Sequence, residues 1–439
     1  MKRKIYDELV KWKENEINKP ILVLGVRQCG KTYIIEEFCK NEYDNYIKVN
    51  LFQRTDVVEL YKSNINSEEK YKLFKSMINF DFDQENSILF IDEIQESEEL
   101  ISELKFYCEQ HNNVRIICAG SLLGVKLKRF SKSFPVGKVY IKNMYPMDFE
   151  EYLIANNELL LLDTIKDSFK NNKPMLVLHD KALRYYNNYL LTGGMPESVK
   201  SLVSVDNDYI KYNNNILNDI IESYFNDMKK YIETPSETLK IRRIYDSLPS
   251  QLSNASHKFQ YSKIIKDAKS RDYELPLDWL VSANMVLKVN CVSVPEKPLK
   301  GFEIYEVFKL FLSDVGILNR LLNISVNEIL NNELKIFKGI IAENFVANQL
   351  ISSGLPIYYW KSKEEAEVDF LVETDYDGVI PIEVKSSENT QSKSLKTYYN
   401  LYKPKYMIRL STKDFGYNPE TKIKSVPIYA AFLIKELTY

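Results

Sequence analysis

Two groups of residues in this sequence have the types and spacing to do chemistry. The first is Gly25-Val26-Arg27-Gln28-Cys29-Gly30-Lys31-Thr32, a G-x-x-x-x-G-K-[ST] pattern that follows the apolar run Ile21-Leu22-Val23-Leu24 and opens an amphipathic stretch. Its glycines let the backbone curl until its N–H groups converge on a phosphate, and the helix that follows adds its positive N-terminal end. Gly25, Arg27, Gln28 and Gly30 would then cradle the phosphates, Lys31 would sit on the β- and γ-phosphates, and the Thr32 hydroxyl would ligate Mg²⁺. Further on, Ile88-Leu89-Phe90-Ile91 runs into Asp92 and Glu93. A buried strand there brings Asp92 to the metal and lets Glu93 polarise a water for attack on the γ-phosphate. The strand Ile116-Ile117-Cys118-Ala119-Gly120 ends at Ser121. If it lies between the other two strands, Ser121 faces the γ-phosphate, where it either holds the water or reports hydrolysis; otherwise it caps the next helix. Candidates for a cation that stabilises the transition state are Arg27, Arg129 and Lys138.

The second group is C-terminal. Glu343 lies on a helical stretch, Asp369 in Glu367-Val368-Asp369-Phe370-Leu371-Val372, and Glu383 and Lys385 in Ile382-Glu383-Val384-Lys385 beyond a hairpin turn near Asp377-Gly378. Residues two apart on a strand share a face, so Glu383 and Lys385 point together and Asp369 on the paired strand meets them. Two carboxylates can hold Mg²⁺ while a lysine activates water or steadies a phosphoryl charge. This order resembles the PD-(D/E)xK nuclease-like fold, with Val368-Asp369 in place of Pro-Asp. The same residues also fit the exposed faces of amphipathic strands, or an inherited fold whose catalysis has lapsed. Lys385 to Arg409 carries six basic residues against one acidic, Glu388, interleaved with Tyr398, Tyr399, Tyr402 and Tyr406. Such a stretch suits a nucleic-acid backbone, and equally a solvated amphipathic helix.

The elements that must position these groups follow from the pattern. Between Pro20 and Asn143, five short apolar runs alternate with amphipathic stretches, which predicts a parallel α/β sheet. The helix over 98–109 is expected to turn Leu100, Ile101, Leu104 and Phe106 inward. A helical region follows Tyr145-Pro146-Met147-Asp148-Phe149, broken at Leu191-Thr192-Gly193-Gly194-Met195-Pro196, with a long amphipathic helix over 216–231. Residues 236–300 outline a winged helix. Its candidate recognition helix from Glu274 carries acidic but no basic residues, which disfavours base reading; Lys263, Lys266, Lys269 and Arg271 leave non-specific contact open. The expected division is 1–155, 156–235 (a helical lid), 236–300 and 301–439.

The chain has 439 residues, 45% apolar and 13% aromatic, enough for real cores and for about three compact units. With 59 basic and 61 acidic residues its formal charge of −2 excludes a uniformly basic nucleic-acid coat. Five scattered cysteines without a C-x-x-C pair argue against a disulfide framework or zinc knuckle, and three histidines leave little for histidine-centred catalysis. No apolar run approaches the roughly 20 residues of a membrane span, so a cytoplasmic protein without membrane contact is expected.

Gly-x-Arg-Gln-x-Gly-Lys-Thr, Ile-Asp-Glu-Ile-Gln, Ala-Gly-Ser-Leu-Leu, Phe-Pro-Val-Gly-Lys-Val and Tyr-Pro-Met-Asp-Phe-Glu-Glu-Tyr-Leu together resemble the prokaryotic AAA-type ATPases fused to a C-terminal domain of unknown function. Tyr189 to Glu197 resembles that family's lid, and Lys309 to Leu318 the opening of its C-terminal domain. The resemblance implies ATP and Mg²⁺ as ligands, with Lys31, Thr32, Asp92 and Glu93 in the roles derived above. Where many relatives carry Gly-Arg this chain has Gly137-Lys138, and lysine lacks the planar fork of an arginine finger. The expectation is an ATP-hydrolysing protein that couples nucleotide state to a nuclease-like C-terminal domain, with DNA, further copies of the chain or other proteins as candidate partners. The alternative is a nucleotide-switched protein-interaction scaffold without nuclease activity.

Overall fold

Strands buried on both faces need a covering layer on each side, and the N-terminal half supplies helices for that purpose. The computed structural model describes the chain except residues 16–17, 129–132, 233, 255–257, 332, 335, 363–365, 387–392 and 439. Arg129 and Glu388 therefore lie outside the described residues. The chain divides into two compact units.

The first unit, Lys2–Tyr145 with Ser282–Asn284, contains β1 (Ile21–Leu24), β2 (Asn45–Asn50), β3 (Ser87–Asp92), β4 (Arg115–Gly120) and β5 (Tyr140–Asn143). All neighbours are parallel, in the order β2-β3-β4-β1-β5. Every residue of β1 and β3 is buried, as their unbroken apolar runs require. β4 lies between β1 and β3, and the register pairs Leu24 with Gly120 and Asp92 with Ala119. Three strands thus end level, and whatever follows each of them shares one edge of the sheet. The helix Glu98–Gln110 buries Leu100, Ile101, Leu104 and Tyr107. Phe106 packs, partly buried, against the same core, and Tyr107 is buried beside it with its hydroxyl 2.6 Å from that of Tyr61.

The second unit comprises Pro146–Val281 and Met285–Tyr439. It opens with the helix Phe149–Ala155, started by a capping box in which Asp148 accepts from Glu151 N and Glu151 accepts from Asp148 N. The helices that follow include Leu159–Asn171, Val177–Thr192, Pro196–Val203, Ile216–Tyr231 and Pro235–Leu252. The expected break after Thr192 is built against Asp314. Its carboxylate accepts from Gly194 N at 2.6 Å and Ile317 N at 3.0 Å, and a Cβ on Gly193, whose φ is +62°, would stand 2.0 Å from Asp314 Oδ1. Two distant motifs, Gly193-Gly194 and Ser313-Asp314, therefore interlock.

An eight-stranded mixed sheet completes this unit: β6 (Val286–Val292), β7 (Glu303–Leu312), β8 (Tyr358–Lys361), β9 (Glu367–Thr374), β10 (Gly378–Lys385), β11 (Met407–Ser411), β12 (Gly416–Asn418) and β13 (Ile423–Pro427). The order is β12-β13-β11-β10-β9-β8-β6-β7. The antiparallel pair β6–β7 spans the boundary expected near residue 300, and β6 also pairs with β8. The helix Phe337–Ser352, carrying Glu343, belongs to the same unit. Among the described residues no helix is long and apolar enough to cross a membrane.

Candidate functional site

The chain leaves β1 at Gly25, where a Cβ would stand 2.2 Å from the Met144 carbonyl oxygen, so only glycine admits that approach. Gln28 and Gly30 take positive φ values of 63° and 94° and turn the loop back on itself. Gly30 is the N-cap of the helix Lys31–Glu42 and offers it no side-chain acceptor. The first N–H groups of that helix therefore suit an external anion. The loop is also held from behind: the buried Arg3 donates to Cys29 O and to Tyr145 O, both at 2.7 Å. Lys31, 7% exposed, donates through Nζ to Gly25 O at 2.8 Å and Val26 O at 2.9 Å. Arg27 is half-buried and Gln28 exposed.

Thr32 Oγ1 lies 3.3 Å from each carboxylate oxygen of Asp92. The Asp92 carboxylate also accepts from Glu93 N at 3.2 Å and stands 3.4 Å from Lys48 Nζ, which itself pairs with Glu36 at 2.7 Å. Burial pushes the Asp92 carboxyl above its ordinary pKa, Glu93 adds to the shift, and Lys48 opposes it. An ionised carboxylate and a hydroxyl side by side are the hard oxygen donors that Mg²⁺ takes, so these residues fit that ion.

Glu93 adopts the left-handed conformation at φ 54°, and its carboxylate accepts from Gln95 Nε2. Gln95 is 1% exposed, and its Oε1 has no hydrogen-bond partner among the described residues. A Cβ on Gly120 would lie 2.1 Å from that oxygen, so the Gln95 amide spans from Glu93 to the end of β4, where Ser121 follows, half-buried. Lys138 pairs with Glu109 at 2.8 Å, both partly exposed. The sequence reading picked out the loop, Asp92 and Glu93, and missed Arg3, Lys48 and Gln95 as supports. Lys48 carried a legible signal, a lone charge within the β2 run Tyr46-Ile47-Lys48-Val49.

The second unit brings Glu343, Asp369, Glu383 and Lys385 into one cluster. Lys385 Nζ meets Glu383 Oε1 at 2.5 Å, as same-face neighbours should. Asp369 Oδ2 accepts from Val384 N at 2.7 Å across the β9–β10 pair. Lys309 on β7 and Glu367 join them, with Lys309 Nζ 2.6 Å from Glu367 Oε1 and 3.5 Å from Glu343 Oε2. Burial, then Glu343 and Glu383, raise the Asp369 carboxyl well above the carboxylate range. Burial also raises Glu383, against the pull of Lys385. For Lys309, burial opposes the charge, but Glu343, Glu367 and Asp369 outweigh it and raise its pKa.

Among the described residues no group of three or more His, Cys, Asp or Glu is arranged to hold a metal ion. Of the tyrosines expected on a basic aromatic face, one is not at the surface, and Tyr399, Tyr402 and Tyr406 are half-buried. Tyr398, on the helix Lys393–Tyr402, is 1% exposed and packs edge-on against Trp360 at 5.3 Å, with Tyr402 beside both. Those rings serve the core, because the helix must cover the apolar face of the sheet.

Residues 17–153 match the family model of an AAA domain, and residues 183–328 and 338–430 match two domains of unknown function, DUF8612 and DUF4143. No curated protein matches the chain. Among solved structures, the Walker-type ATPase of Pyrococcus abyssi is 16% identical, with 73% of this chain and 95% of that one covered and a TM-score of 0.44. The ORC2 protein of Aeropyrum pernix in its ADPNP–ADP complexes is 13% identical, with 76% and 94% covered and a TM-score of 0.36. A signal-transduction ATPase with numerous domains from Pyrococcus horikoshii is 16% identical, with 80% and 45% covered and a TM-score of 0.29. Likenesses this distant say nothing about substrate. From the family match and the loop geometry together, residues 17–153 carry an AAA-type, ATPase-like domain.

Proposed function

We propose that the chain binds Mg-ATP at the Gly25–Thr32 loop, hydrolyses it, and uses the nucleotide state to switch the rest of the chain between conformations. The observation that carries this is the meeting of Thr32 and Asp92 at 3.3 Å, at the mouth of a loop whose helix has no side-chain cap. Loop N–H groups bind the phosphates, and Lys31 exchanges its carbonyl partners for β- and γ-phosphate oxygens, whose charge it offsets. Thr32 and Asp92 would hold Mg²⁺, which when bound neutralises charge on the same oxygens. Glu93, aimed by Gln95, takes a proton from water as that water bonds to the γ-phosphorus. The bond from the γ-phosphorus to the bridging oxygen breaks, and ADP and phosphate leave. Ser121 orients the water from the end of β4.

Lys31→Ala is expected to abolish nucleotide binding, while Glu93→Gln binds ATP and fails to turn it over. Retained turnover in Glu93→Gln removes Glu93 as the base. Residues 156–235 act as a lid, 236–300 as a winged-helix-like spacer, and 301–439 as a nuclease-like domain that the switch addresses. The burial of Tyr398 favours a second reading for that last part, a protein-docking scaffold in place of a DNA-processing module. DNA affinity that falls steeply with salt would favour the DNA-processing reading, and its absence the scaffold.

A further inference from the structure

The C-terminal cluster contains an ion of its own. Lys309 lies on β7 in Phe308-Lys309-Leu310-Phe311-Leu312, and strand alternation puts it on the same face as the fully buried Phe311. Its side chain is 0% exposed. A lysine is held in such a place only by close counter-charges, and here they are Glu367 at 2.6 Å and Glu343 at 3.5 Å, with the Tyr359 ring centroid 5.0 Å from the ammonium. Glu343 and Asp369, two of the carboxylates a nuclease-like fold would turn on a divalent ion, both act on this ammonium. The remaining carboxylate, Glu383, meets Lys385 through Oε1, while its buried Oε2 has no hydrogen-bond partner among the described residues.

A divalent ion needs carboxylate oxygens within about 2.0–2.6 Å. Entering between Glu343 and Asp369, it would meet a fixed positive charge already paired with the neighbouring Glu367. The cluster also borders a cavity. The cavity beside Lys385 measures about 230 Å³ and is walled by Leu183, Tyr186 and Leu190 of the helix Val177–Thr192, with Ala342 and Ser386.

We propose that Lys309 is the resident cation of this cluster: its ammonium stands in the place of the divalent ion, and the C-terminal domain keeps a nuclease-like carboxylate array without metal and without strand cleavage. The inference is independent of nucleotide hydrolysis.

The test uses the full chain, free of nucleotide, titrated with Tb³⁺ alone and excited through tyrosine, with Tyr359 as the nearby antenna. Wild type and Asp369→Asn are expected to give the same titration, since no ion binds at Asp369. Lys309→Met, checked for folding by circular dichroism, is expected to gain a saturable emission phase at least about tenfold tighter than any in the wild type, because a cation has left and its carboxylates remain. Adding Asp369→Asn to Lys309→Met removes that phase. A saturable phase in the wild type that Asp369→Asn abolishes overturns the proposal. So does a folded Lys309→Met that gains nothing. If Lys309→Met does not fold, the comparison of wild type with Asp369→Asn still decides: equal titrations uphold the proposal and unequal ones overturn it.

Discussion

The strand end at Gly120 offers a way to disturb Glu93 without altering any group proposed to contact nucleotide. In Gly120→Ala the new methyl would stand 2.1 Å from Gln95 Oε1, 3.2 Å from Gln95 Cδ and 3.2 Å from Leu123 Cβ. The Gln95 side chain is enclosed, so it can yield only by rotating its amide away from Glu93. Crowding of this kind costs about 1–3 kcal/mol of stability. Losing the Gln95 hydrogen bond to the Glu93 carboxylate removes about 1.5–3 kcal/mol of positioning, a fall of about ten- to a hundredfold in turnover if the bond is needed at the transition state. Phosphate release at saturating Mg-ATP, calorimetric affinity and a thermal melt on the same preparation separate the two effects. The expected result is a lowered kcat, a nucleotide Kd changed by less than about threefold, and the same kcat loss in Gln95→Ala. A folded Gly120→Ala with wild-type turnover refutes the reasoning. An affinity loss that matches the turnover loss does so too, because the loop would then be what moved.

Three further outcomes are expected. Arg3→Ala leaves the carbonyls of Cys29 and Tyr145 without their 2.7 Å donors, and denaturant unfolding should show a loss of about 2–4 kcal/mol with weaker ATP affinity. Tyr398→Ala should destabilise the chain by about 3–5 kcal/mol and leave any salt-sensitive DNA binding by the folded protein unchanged, since the ring is buried. Burial raises the Asp314 carboxyl to about 6, against about 3.9 in an unfolded chain. Between those values the folded chain holds a proton that the unfolded one has released. This group's contribution is therefore full below pH ~4 and is lost as pH rises through ~6, a change of roughly 3 kcal/mol. Subtracting the unfolding free energy of Asp314→Asn from that of wild type across this window isolates the effect, and a flat difference contradicts it.

The parallel sheet was legible because unbroken apolar runs such as Ser87–Asp92 have one solution, burial on both faces, and because the glycine pattern sits between such a run and a helix. The convergence of Thr32 with Asp92 followed from the same logic. The supports were not legible, because each depends on a contact that spacing does not encode. Lys48 reaches Asp92 only because β2 lies beside β3, and Gln95 matters only because β4 ends at a glycine. The tyrosines of 398–406 were read as a surface from composition, whereas helical phase buries Tyr398. Lys309 was the clearest overlooked signal, a lone charge in an apolar strand and on the face of a core phenylalanine.

Calorimetric titration of the full chain with Mg-ATP, followed by phosphate release in the same sample, bears most directly on the proposal that the Gly25–Thr32 loop grips and splits a triphosphate. One nucleotide per chain is expected for wild type and for Glu93→Gln, with release only in wild type and no binding in Lys31→Ala. No uptake by the folded wild type, or undiminished uptake by Lys31→Ala, would contradict it.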